Sequence, residues 1–77
     1  MSQEFQIGDI IQTIGFATYD NIVPINTIGE IIHIRHRYRN TSNEYFQYRV
    51  RFDNYPENVN HQLNNLFETN KIILYKL

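Results

Sequence analysis

The chain has no cysteine, no tryptophan and a single alanine, Ala17, among its 77 residues. Without cysteine it has neither a disulfide nor a thiolate metal site to reinforce a small core. That core must be compact, because a chain of this length buries only about 60% of the surface its unfolded form exposes. The absence of cysteine also agrees with a cytoplasmic setting. No apolar run approaches the roughly 18 residues needed to span a bilayer, so no membrane partner is expected. The start, MSQEFQIGD, is polar and acidic and does not read as a secretory leader.

Catalytic equipment is missing too. The only serines, Ser2 and Ser42, stand at the terminus and in a turn-forming stretch. Gly8, Gly15 and Gly29 are isolated and build no phosphate-binding loop. His33 and His36 would point to opposite faces of a strand, and His61 lies far from both, so no metal site is expected. The expectation is a non-enzymatic protein without metal or cofactor.

What the chain does contain is isoleucine, asparagine and eleven aromatics, six Tyr and five Phe. This composition suits strands joined by polar turns and argues against disorder. Strands are predicted over Phe5–Ile14, Ile28–Arg39, Tyr45–Asp53 and Lys71–Tyr75, with a short segment over Gln62–Phe67. Asn40-Thr41-Ser42-Asn43 reads as a reverse turn and Asp53–Asn58 as another. Leu63, Leu66 and Phe67 have helix-like spacing, which allows one short helical turn within 60–68. Residues 15–27 form a long irregular excursion. Phe16, Tyr19, Ile22, Val23 and Ile25 make it too apolar merely to solvate, so it either plugs the core or meets a partner.

Five short strands in one domain over 1–77 fit an all-β fold closed into a small barrel, which removes exposed sheet edges. The string Ile7-Gly8-Asp9-x-Ile11, then Gly29-Glu30-Ile31, then Tyr48-Arg49-Val50-Arg51-Phe52 and a late Lys71-Ile72 resembles the SH3-like small barrels. These include KOW, Tudor-like and bacterial single-domain members. The resemblance implies a five-stranded barrel that binds proteins or nucleic acids. Asn26-Thr27 replaces the glycine usual before a KOW strand, and Tyr55 and Phe67 are the aromatics nearest a Tudor-type cage.

Charge is the most unusual feature. All five arginines fall between residues 35 and 51, whereas residues 1–32 carry only acidic charge: Glu4, Asp9, Asp20 and Glu30. Strand alternation puts Ile32, Ile34, His36 and Tyr38 on one face and Ile31, His33, Arg35, Arg37 and Arg39 on the other. It likewise sets Phe46, Tyr48, Val50 and Phe52 against Gln47, Arg49 and Arg51. With the apolar sets in the core, all five arginines share one outer face. Three registers match core face to core face. Those whose paired residue numbers sum to 84 or 86 set one arginine opposite another, at about 0.2–1 kcal/mol per pair; a sum of 82 avoids this.

Two readings of the cluster follow. Glu30, Glu44, Asp53 and Glu57 neutralise it internally, or it binds a partner. The favoured reading is a protein-binding adaptor or regulatory module. It would contact an acidic patch on another protein through Arg35, Arg37, Arg39, Arg49 and Arg51, with Tyr19 and Tyr45 beside them. RNA or DNA binding is the alternative, but a sequence pI near 6.2 and an acidic first third disfavour a long polyanion. The charge distribution also allows a homodimer that joins acidic segment to basic hairpin.

Overall fold

The computed structural model describes residues 4–19, 21–53 and 65–76. They form five strands: β1 (Ile10–Thr13), β2 (Ile28–Arg37), β3 (Tyr45–Arg51), β4 (Leu66–Glu68) and β5 (Ile72–Leu74). A 3₁₀ turn, Thr69–Lys71, joins β4 to β5. The strands make one antiparallel sheet in the order β4-β3-β2-β1-β5. The fold is all-β, as expected from the strand-forming composition.

The sheet does not close as the expected barrel would. β4 and β5 remain its two edges. The excursion after β1 is bonded to β4 and to the 3₁₀ turn that precedes β5. The Ile14 and Gly15 amides donate to the Lys71 carbonyl at 2.8 and 3.1 Å, and the Thr18 amide donates to the Leu66 carbonyl at 2.8 Å. Residues 60–64 of the expected helical turn, and residues 54–58 of the expected second turn, lie outside the described residues. Leu66 and Phe67, whose spacing looked helical, belong to strand β4, where pairing with Arg49 and Tyr48 satisfies their backbone.

The first strand is shorter than expected because the chain turns sharply just before it. The Gln6 amide donates to Asp9 Oδ2 at 2.8 Å and the Asp9 amide to the Gln6 carbonyl at 3.1 Å. Gly8 takes φ +96° in this turn, a conformation that costs a side chain but not glycine.

The core gathers Phe5, Ile11, Val23, Ile31, Phe46, Tyr48, Val50, Phe52, Phe67 and Ile72. Each large apolar group buried in this way contributes on the order of 1.5–3 kcal/mol. Gly29 lets β2 cross the end of β3 closely: a Cβ there would lie 2.6 Å from Val50 Cγ1 and 2.8 Å from the Arg51 carbonyl oxygen. Of the apolar residues in the excursion, Val23 plugs the core while Phe16, Tyr19, Ile22 and Ile25 are exposed. Thr13, fully buried, ties the excursion at its base. Its hydroxyl donates to the Pro24 carbonyl at 3.0 Å and accepts from the Thr27 amide at 2.9 Å.

One irregularity sorts the faces of β2. The β2–β3 register slips between Ile31 and His33, leaving Ile32 as the extra residue of a β-bulge. Simple alternation would place Ile31 on the outer face. The bulge instead sets Ile31 opposite Val50, with both fully buried.

Candidate functional site on the arginine-rich hairpin

Beyond the bulge, paired residue numbers in β2 and β3 sum to 82: His33 faces Arg49, Arg35 faces Gln47 and Arg37 faces Tyr45. This is the one register of the three in which no arginine lies opposite another. Arg35 and Arg49 are therefore diagonal neighbours, and the like-charge cost of a direct pair does not arise. Before the bulge, Arg51 pairs with Glu30 in the ladder.

The arginines do not share one face as alternation implied. Tyr38 has φ +53° and Asn40 φ +63°, so the chain leaves strand geometry at residue 38. The Thr41 hydroxyl donates to the Tyr38 carbonyl at 2.7 Å and the Glu44 amide to the Thr41 carbonyl at 3.3 Å, which makes the turn read from Asn40–Asn43. Tyr38 was expected on the core face; the turn leaves it 58% exposed, its ring 5.9 Å from that of Tyr45 and with the Arg37 guanidinium 5.9 Å from its centre. Tyr48 occupies the core as expected, meeting Phe5 edge-on at 5.1 Å.

Arg39 swings to the opposite side. Its Nε donates to His36 Nδ1 at 3.1 Å, and His36 Nε2 lies 3.1 Å from Glu44 Oε2. The His36 ring stacks on Phe46 at 4.3 Å. The Asn40 amide donates to the Glu44 carboxylate at 3.1 Å; with His36 adding to it, this bond holds the Glu44 carboxyl below its usual value. Arg39 and His36, together with Gln6, Ile7, Ile34 and Phe46, border a cavity of about 420 Å³. Glu44 thus serves the turn and His36.

On the outer face, His33, Arg35, Arg49 and Leu66 line a second concavity, of about 310 Å³. Leu66, 1% exposed, reaches this face because β4 pairs it with Arg49. Arg35 is half-buried and makes no hydrogen bond or ion pair among the described residues. Gln47, directly across from Arg35, is buried, and its Oε1 has no hydrogen-bond partner among the described residues. Acids bound this face on two sides: Glu68 lies opposite Gln47 on β4, and Glu30 opposite Arg51.

Of the expected site residues, the structure brings together Arg35 and Arg49, with Arg37 and Tyr45 one pair further along. Arg51 sits beyond the bulge and Arg39 on the other side. Tyr19 is 60% exposed, next to the Thr18 that is bonded to β4. His33 joins the concavity without having been singled out, although alternation with Arg35 signalled it. No local signal marks Leu66, whose place depends on pairing between distant segments.

His33 and His36 face different cavities, and among the described residues no group of three or more His, Asp or Glu is placed to hold a metal ion. No helix among the described residues is long and apolar enough to cross a membrane. No protein-family model, curated protein or solved structure matches the chain.

Proposed function

We propose that this chain is a non-catalytic protein-binding module, an adaptor or regulatory domain of the SH3-like small-barrel kind. It docks an acidic partner surface on the outer face of the β2–β3 hairpin. The observation that carries the reading is the concavity shared by Arg35 and Arg49, in which the half-buried Arg35 has no carboxylate partner among the described residues. Arginine and tyrosine are favoured anchors at protein interfaces, and Tyr45, Tyr38 and Arg37 extend the surface. The SH3-like assignment is supported by five short antiparallel strands, a long first excursion and the bonds by which that excursion reaches β4 and the turn before β5. A cytoplasmic setting accompanies this reading of a cysteine-free chain.

The neighbouring Tyr38–Tyr45 pair favours a second reading, in which the hairpin stacks bases of single-stranded RNA or DNA. Glu30 and Glu68 on the same face weigh against it, because they would repel a backbone tracking across the strands.

The test is affinity capture from the native source, with and without nuclease, by wild type and by Arg35→Glu/Arg49→Glu. The double variant should keep its far-UV spectrum and lose a nuclease-resistant protein partner. Retained capture by the folded variant would remove the hairpin from the function, and loss of the partner on nuclease treatment would favour the nucleic-acid reading.

A further inference from the structure

We infer that the concavity between His33, Arg35, Arg49 and Leu66 is a pocket for a single carboxylate, the Asp or Glu side chain of an extended acidic peptide. The inference rests on the protein-binding reading above and assigns its contact point. Only two of the five arginines converge here. Arg37 is engaged with Tyr38, Arg39 with His36, and Arg51 lies past the bulge beside Glu30. The hairpin therefore presents one place where two arginines converge and not a uniformly basic plate.

The chemistry of the lining selects the ligand. A guanidinium presents parallel N–H donors that match the two oxygens of a carboxylate, and in a half-buried setting such charge-assisted bonds are stronger than neutral ones. Among the described residues Arg35 makes no hydrogen bond or ion pair and can supply this fork, and Arg49 stands diagonally across the ladder. The His33 ring adds a polar wall, and Leu66 closes the base with apolar surface. Apolar surface suits the methylene stem of an acidic side chain and offers nothing to a hydrated phosphodiester. Two further features limit the ligand to a short reach of negative charge. The volume of about 310 Å³ holds one side chain, and the face is bounded by Glu30 and Glu68.

The experiment is an NMR titration of the labelled full chain, following the arginine Nε–H signals and the Leu66 methyls. The probes are a capped extended pentapeptide with one central glutamate, its glutamine counterpart, inorganic phosphate and a short oligothymidylate. The glutamate peptide should shift Arg35, Arg49 and Leu66 together, and the glutamine peptide should bind at least about tenfold more weakly, as expected for losing a hydrogen bond to a charged group. Arg35→Gln should weaken the glutamate peptide by a similar factor. Arg35→Lys, which keeps the charge and loses the fork, should still weaken it several-fold. Arg37→Gln removes equal charge two residues along the strand and should lose no more than about twofold, through screened long-range attraction.

Equal losses for Arg35→Gln and Arg37→Gln would overturn the pocket while leaving the adaptor reading intact. Stronger shifts at the pocket with phosphate or oligothymidylate than with the glutamate peptide would overturn the carboxylate assignment. A partner still captured by Arg35→Glu/Arg49→Glu would instead overturn the reading on which the pocket rests.

Discussion

Gly29→Ala is the substitution whose effect the structure specifies most closely. A Cβ at this position would stand 2.6 Å from Val50 Cγ1, 2.8 Å from Phe52 Cδ1 and 2.8 Å from the Arg51 carbonyl oxygen. Carbon atoms in comfortable contact lie about 3.5–4.0 Å apart, so the methyl intrudes by roughly 1 Å on three sides. Val50 and Phe52 are fully buried and have little room to retreat, and the Arg51 carbonyl is held in the backbone. Overpacking of this kind costs about 1–3 kcal/mol. Replacing glycine also narrows the unfolded ensemble, which offsets about 0.4–1 kcal/mol. The net expectation is a loss of about 1–2 kcal/mol, from a total of about 4–12 kcal/mol for a chain of this length. Urea unfolding followed by far-UV circular dichroism should show a midpoint lower by roughly 1–2 M, with a slope near 1 kcal/mol/M. Val50→Ala, itself destabilising through the cavity it leaves, should cost less in the Gly29→Ala background than alone, because it removes one of the three contacts and leaves the backbone one. An unchanged or raised midpoint, or strictly additive effects of the two substitutions, would refute the close crossing of β2 over β3.

Three further outcomes are expected. Thr13→Val should destabilise by about 1–3 kcal/mol, since the Pro24 carbonyl and Thr27 amide both lose the hydroxyl, and hydrogen exchange at the Asn26 and Thr27 amides should quicken. The Glu44 carboxyl is held down by the Asn40 amide and His36, so its contribution is fully present above the unfolded value of about 4.3 and disappears as pH falls through the lower folded value. Glu44→Gln should therefore be less stable than wild type near neutrality and converge with it in acid, as urea midpoints between pH 7 and pH 3 will show. Deleting Ile32 removes the extra residue and lets the ladder run unbroken, with Ile31 still opposite Val50 and His33 opposite Arg49, so the variant should keep its dispersed amide spectrum; its loss would show that Ile32 is not merely the extra residue of a bulge.

The sequence made much of this architecture legible. The strands, the Asn40–Asn43 turn, the buried Tyr48, Val50 and Phe52, and the plugging role of part of the excursion all follow from short-range chemistry. Period-two alternation identifies Phe46, Tyr48 and Val50 as the core face of β3 because β3 is regular, but it does not foresee that Gln47, on the other face, is buried as well. It fails at Ile31, Tyr38 and Arg39 because each lies at or beyond a backbone irregularity that residue types hardly announce. A bulge needs no glycine, and Tyr38 is an unusual occupant of left-handed φ. Leu66 was illegible for another reason: its arrival beside Arg49 depends on a pairing between segments seventeen residues apart in number, which no local pattern encodes.

The same two irregularities also set the size of the site. Between the bulge at Ile32 and the left-handed turn at Tyr38, alternation holds over residues 33–37 alone. The outward row is thus His33, Arg35 and Arg37, faced by Arg49, Gln47 and Tyr45. At about 3.4 Å per residue this row is roughly 14 Å long, with Arg35 and Arg37 about 7 Å apart. An extended peptide places residues i and i+2 at that same spacing on one face, so with one acid seated beside Arg35 the next side chain on that face lies near Arg37, whose guanidinium is engaged with Tyr38. A nucleic-acid strand laid along the row would offer only a few phosphates before reaching the ends of the regular stretch. Its affinity would then fall with salt by a slope no steeper than about −3, at roughly −0.7 per phosphate contacted. On the proposed reading, a row this short carries too little charge to hold a polyanion firmly, and its one convergent pair of arginines suits a single acidic side chain.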